Sequence, residues 1–70
     1  MNLVEAEVGN EYLIRDIHCG DMELKKFLFT LGCYEGEPVT VIARKKKNTV
    51  LSIKDGRYSI DNDLARVIIV

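Results

Sequence analysis

A mainly β fold, a small and strongly bent barrel carrying one inserted α-helix over about residues 21–31, is what this sequence predicts. Three observations lead there. Short segments of β-like alternation fill the second half of the chain, a single helical stripe lies between the early and late segments, and glycine-bearing turn signals punctuate both. Closing a sheet on itself removes exposed strand edges, which a chain of 70 residues has few other means of covering. An open α+β sandwich is the competing arrangement.

The first element is "NLVEAEVGNEYLIRDI", in which Gly9-Asn10 marks a turn between two extended segments. Tyr12–Ile17 mixes apolar and charged residues as a strand with one wet face does. In "CGDMELKKFLFTLG", Asp21 is a good N-cap, because its carboxylate can accept from the free amides of a first helical turn. Leu24, Phe27, Leu28 and Leu31 then recur at helical spacing and form one apolar stripe, with Phe29 off it. Gly32 follows the stripe directly, where a left-handed residue ends a helix at least steric cost.

Next comes an elbow. Tyr34-Glu35-Gly36-Glu37 reads as a tight reversal in which Gly36 takes a backbone conformation barred to larger residues, and Pro38 fixes φ at the start of the following strand. Val39, Val41 and Ala43 alternate with Thr40, Ile42 and Arg44, and Leu51 and Ile53 share a face of the next strand. Asp55-Gly56 is a two-residue hairpin signal. "DNDLA" is a short turn or a single helical turn capped by Asp61, and "ARVIIV" closes as a buried strand.

The chain is long enough for one domain only. At 47% hydrophobic and 30% charged it has the composition of a folded domain. A core of this size supplies about 3–5 kcal/mol, so a homo-oligomer or a binding partner is expected. The formal net charge of -1 argues against a dedicated nucleic-acid binder. No apolar run approaches the roughly 20 residues of a membrane span, and "MNLVEAEVGNEY" lacks the basic start and apolar core of a signal peptide. A cytoplasmic protein that is not itself membrane-embedded is the expectation.

Few residues point to chemistry. His18, Cys19 and Cys33 are the only imidazole and thiols, fewer than the four ligands of a structural zinc site. His18 and Cys19 are also neighbours, which point to opposite faces of an extended segment. They stand as weak candidates for a transition metal. Cys33 follows a helix C-terminus, where the dipole disfavours a thiolate, and reads as packing. Glu5, Glu7, Glu11, Asp16, Asp21 and Glu23 are solvated surface rather than an ordered cation loop. The run Arg44, Lys45, Lys46 and Lys47 reads as a loop that blunts a strand edge. With no phosphate-binding glycine motif and no catalytic dyad at a recognisable spacing, the chain does not read as an enzyme.

The stretch "LKKFLFTLGCYEGEPVTVI" resembles the FeoA-like family, the small ferrous iron transport proteins A. The likeness rests on Leu28, Leu31, Gly32, Cys33, Tyr34, Glu35 and Gly36, which follow the family's pattern of a helix ending in leucine-glycine, then a turn, then a strand. The close "DGRYSIDNDLARVIIV" is similar through Gly56, Ile60, Ala65, Ile68 and Val70, and the opening through Gly9, Ile14 and Ile17. Three positions depart from the pattern. Cys33 stands for a larger aliphatic, Glu35 for a proline, and Phe27 for a basic residue.

The resemblance covers residues 1–70 and implies one SH3-like β-barrel domain with a helix after the early strands. It further implies an adaptor of ferrous iron uptake that docks on the cytoplasmic, GTPase-bearing part of the FeoB membrane transporter, with no cofactor required. Phe29, Tyr34, Glu35, Arg44, Lys45, Lys46 and Lys47 are the interaction candidates, and Asp21, Gly32, Gly36, Pro38 and Gly56 the structural ones. The alternative is a metal-responsive module that binds Fe2+, Mn2+ or Zn2+ weakly, similar to the SH3-like domains of metal-dependent repressors.

Overall fold

Alternating apolar side chains along residues 38–61 build the main sheet. The computed structural model describes residues 1–70. In it β1 (Glu11–Leu13), β3 (Pro38–Arg44), β4 (Asn48–Ile53) and β5 (Gly56–Asp61) form one antiparallel sheet in the order β1-β3-β4-β5. Val39, Val41, Leu51, Ile53 and Ile60 turn inward and are buried, while Arg57 and Ser59 face out. The register slips between Val41 and Ala43, a bulge at Ile42 that bends β3 and increases its local twist.

A second, two-stranded sheet pairs β2 (Asp16–Ile17) with β6 (Ile68–Ile69). The predicted single strand over Tyr12–Ile17 is thus two, and they belong to different sheets. The pivot is Ile14, 1% exposed, whose N–H donates to Glu37 O (2.9 Å) and whose carbonyl accepts from Gly36 N–H (2.8 Å). The ladders do not close into the expected barrel. After β5 the chain leaves the sheet for a helix, and the two sheets are joined by packing around a shared core that includes Leu3, Leu28, Cys33 and Ile68.

Helix α1 (Met22–Leu31) sits where the stripe predicts. The Asp21 carboxylate accepts from the amides of Glu23 and Leu24, and Gly32 ends the helix at φ 98°, its N–H reaching back to Leu28 and Phe29 carbonyls. The stripe itself is mostly not core. Leu28 is buried, but Leu24 is 40% and Phe27 47% exposed, because only one helix edge touches the sheets. One inserted helix was expected, with a short turn or single helical turn at "DNDLA"; there a second helix, α2 (Asn62–Val67), forms and takes half of the anticipated final strand. Asp61 caps it through Leu64 N–H, Arg66 pairs with Asp63 at 2.6 Å, and Ala65 drops into the core.

The elbow is a β-turn closed by Glu37 N–H on Tyr34 O (3.2 Å), with Gly36 at φ 91° and Pro38 opening β3. The β4–β5 hairpin turns one residue earlier than predicted. Ile53 pairs with Gly56, so Lys54 and Asp55 are the central residues, and the positive φ (52°) belongs to Lys54. Gly56 serves a different purpose: a Cβ there would lie 2.5 Å from Tyr58 Oη, so the ring covers the bare backbone. Residues before β1 form no strand apart from one bridge, Asn2 to Ile69. They make a turn in which Glu5 N–H donates to Asn2 O (3.0 Å), and Arg44 straps it to the sheet by donating to Leu3 O (2.7 Å) and Ala6 O (2.9 Å).

Candidate interaction surface

The helix end and the β4–β5 hairpin together make the most developed surface feature. Because Gly32 reverses the chain directly after α1, Tyr34 comes back alongside Phe29, with ring centroids 4.9 Å apart and planes tilted by 35°. Phe29 is 62% exposed although aromatic. Lys54 reaches over from the hairpin. Its stem passes Gly32, where an added Cβ would sit 3.1 Å from Lys54 Cδ, and its Nζ lies 5.0 Å from the Tyr34 ring centroid and 3.4 Å from Glu37 Oε2. The Tyr34 side chain, and after it the Glu37 carboxylate, push the Lys54 ammonium above its ordinary pKa.

These residues border an open groove of about 700 Å³, whose lining includes Phe29, Leu31, Tyr34, Lys54 and Tyr58. An exposed aromatic pair with a cation held at one rim is built for contact with another surface, since aromatics carry large area at small entropic cost. Met22, Leu24 and Phe27 extend exposed apolar area along α1. Lys54 and Tyr58 were not among the residues singled out in the sequence. Lys54 carries no local signal, as its seat depends on the glycine opposite.

The other predicted interaction residues divide. Glu35 is exposed beside Phe29 and Tyr34 around a second cavity of about 130 Å³ that Cys33 and Asp16 also line. Arg44 is exposed, but its guanidinium is committed to the strap on Leu3 and Ala6. Lys45, Lys46 and Lys47 form the exposed β3–β4 tip, with the Lys46 and Lys47 carbonyls held by Asn62. That tip lies on a separate, wholly polar concavity lined by Lys46, Lys47, Asp61, Asn62, Asp63 and Arg66.

The metal candidates are not assembled. His18 Nε2 bonds Asp16 Oδ2 at 2.9 Å on the surface, and Cys19 Sγ donates to Asp21 O at 3.4 Å. A backbone bond from Ile17, and then the imidazole, hold the Asp16 carboxyl below its ordinary pKa. Cys33 is 1% exposed, and burial pushes its thiol up to about 11, away from the thiolate that binds metals. No three His, Cys, Asp or Glu side chains stand close enough to hold one ion.

The chain is thus a small, mainly β domain with an aromatic-rimmed groove on its surface. The FeoA domain family model matches residues 1–70, and the chain belongs to that family. No curated protein matches it. Among solved structures, an iron uptake regulatory protein (FeoA) aligns at a TM-score of 0.87 with 20% identity, over 97% of this chain and 91% of that one. A FeoA from Stenotrophomonas maltophilia, solved with zinc and described as an SH3 domain protein that possibly acts as a ferrous iron transport activating factor, aligns at 0.87 with 17% identity, over 100% of this chain and 88% of that one. A manganese-dependent transcriptional repressor aligns at 0.86 with 15% identity, over 100% of this chain but 41% of its own. These likenesses establish a shared fold, the one described as SH3-like.

Proposed function

We propose that this chain is a non-catalytic accessory protein of ferrous iron uptake, acting in the cytoplasm by docking on the GTPase-bearing part of a FeoB-type transporter. Membership of the FeoA family supports the iron-uptake role. The observation that carries docking is Phe29, 62% exposed yet held against Tyr34 at the rim of the groove. A rigid aromatic on a fixed helix end loses little freedom on binding, which is what an interface anchor needs. No helix is long and apolar enough to cross a membrane, so the transporter supplies the spanning part.

Calorimetry of the full chain with the transporter's isolated cytoplasmic domain tests this. Saturable binding is expected, weakened about tenfold or more by Phe29→Ala, the loss typical of a central anchor. Absence of saturable binding at mild salt rejects the reading.

A metal-responsive regulatory module is the second reading, favoured by the zinc in the Stenotrophomonas maltophilia protein and by the manganese-dependent repressor. Titration with ferrous, manganous and zinc ions, repeated on Cys19→Ser and His18→Ala, separates the two. Tight binding lost in those variants supports the metal reading, and weak binding unchanged by them leaves docking ahead.

A further inference from the structure

Strand β5, six residues long, is an outer edge of the main sheet, and its ladder fixes which backbone groups look outward. In an antiparallel pair, residues that exchange both hydrogen bonds with the partner alternate with residues turned away. The bond from Asn62 N–H to Lys47 O (2.9 Å) extends the register in which Ile60 faces Thr49, Tyr58 faces Leu51 and Gly56 faces Ile53. Even-numbered residues therefore bond β4. Arg57 and Ser59 turn both N–H and C=O outward, and Asp61 its N–H, and no turn, loop or cap bond in the chain uses those groups. All three side chains are exposed.

Natural edges are blunted by charged side chains, lysine above all, by proline, by bulges or by shortness. The opposite edge, β1, is only three residues long. β5 has no bulge, no lysine and no proline, its register running unbroken from Asn48↔Asp61 to Ile53↔Gly56, and the two charges it carries, Arg57 and Asp61, are of opposite sign.

We propose that β5 is the self-pairing edge of a two-fold dimer, with the β5 of a second copy running antiparallel to it and Ser59 opposite Ser59. The occupant is a second copy because the edge is complementary to itself. Outward groups must meet outward groups, which allows the two-fold axis to pass at Tyr58, Ser59 or Ile60. Only the Ser59 register sets Arg57 of each copy directly opposite Asp61 of the other, and opposite charges across a ladder stabilise it. The small Ser59 hydroxyl meets its own copy at the axis without crowding. This goes beyond the docking reading and stands independently of it.

The test is sedimentation of the full chain over rising concentration, with amide exchange followed by NMR. A concentration-dependent dimer is expected, with exchange at Arg57, Ser59 and Asp61 slowing as the dimer fills while the even-numbered amides are protected throughout. Ser59→Lys places two ammonium groups face to face at the axis and is expected to weaken the dimer about tenfold or more. Arg57→Asp is expected to do the same by opposing two carboxylates, so the outcome does not depend on one variant's folding. A chain that stays monomeric throughout overturns the proposal. So does a dimer that leaves those three amides unprotected or ignores both substitutions.

Discussion

Cys33 and Arg44 show how the fold commits a single reactive or charged side chain to structure. The Cys33 thiol has an ordinary pKa of 9.0 and is pushed up to about 11 by burial. Between those values the unfolded chain has lost a proton that the folded chain keeps, so stability falls as pH rises through that window, by roughly 2 kcal/mol. Urea midpoints taken from about pH 8 to about pH 11 are expected to fall more steeply for the parent than for Cys33→Ala; parallel slopes reject the account. Arg44, one of four consecutive basic residues, spends its guanidinium on the Leu3 and Ala6 carbonyls. Arg44→Ala is expected to cost about 1–3 kcal/mol by leaving Ala6 O without a donor and Leu3 O with only the Ala6 N–H. Binding to a partner should be little changed, and a folding midpoint equal to that of the parent counts against the strap. The packing role of Cys33 was legible because the residue follows a helix end. The strap made by Arg44 was not, because its acceptors are about forty positions away in sequence.

At the scale of elements, the elbow from Gly32 to Pro38 was readable because each of its residues has a local reason for its conformation. Gly32 and Gly36 adopt φ of 98° and 91°, and Asp21 caps α1 as its side-chain chemistry predicts. Gly32→Ala is expected to destabilise by about 1–2 kcal/mol from backbone strain. It also crowds Lys54 Cδ, 3.1 Å from the new Cβ, and should displace the ammonium from Tyr34. A thermal scan with an NMR probe of the Tyr34 ring checks both effects, and an unchanged ring shift contradicts the second. Where local signals competed, tertiary context decided. Asp55-Gly56 is a sound turn pair, yet the ring of Tyr58 lies over Gly56 and the turn moves to Lys54-Asp55. The closing "ARVIIV" favours a strand by composition. Asp61 and the burial of Ala65 nevertheless carry the helix to Val67. The stripe on α1 gave the period of the helix correctly but not its burial, since periodicity reports a shared face without saying what lies against it.

For the molecule as a whole, the main sheet carries most of the cooperative structure, and β6 is the seam. Its residue Ile69 is bridged on one side by Asn2 and on the other by Asp16. Amide exchange is expected to be slowest in β3 and β4, which are paired on both sides, and faster in the two-residue β2–β6 pair, which has few bonds to break. Equal protection in both sheets contradicts that order. The mainly-β character and the position of the long helix were legible from periodicity. The division into two sheets was not, because it turns on Ile14, a residue with no turn signal of its own. The bond from Val70 N–H to Met1 O, 2.9 Å long, has a consequence for how the chain can be handled. The first and last residues are neighbours, so a short peptide joining them would let new ends be opened at the lysine tip. A bulky tag fused to either residue, by contrast, would press on the other.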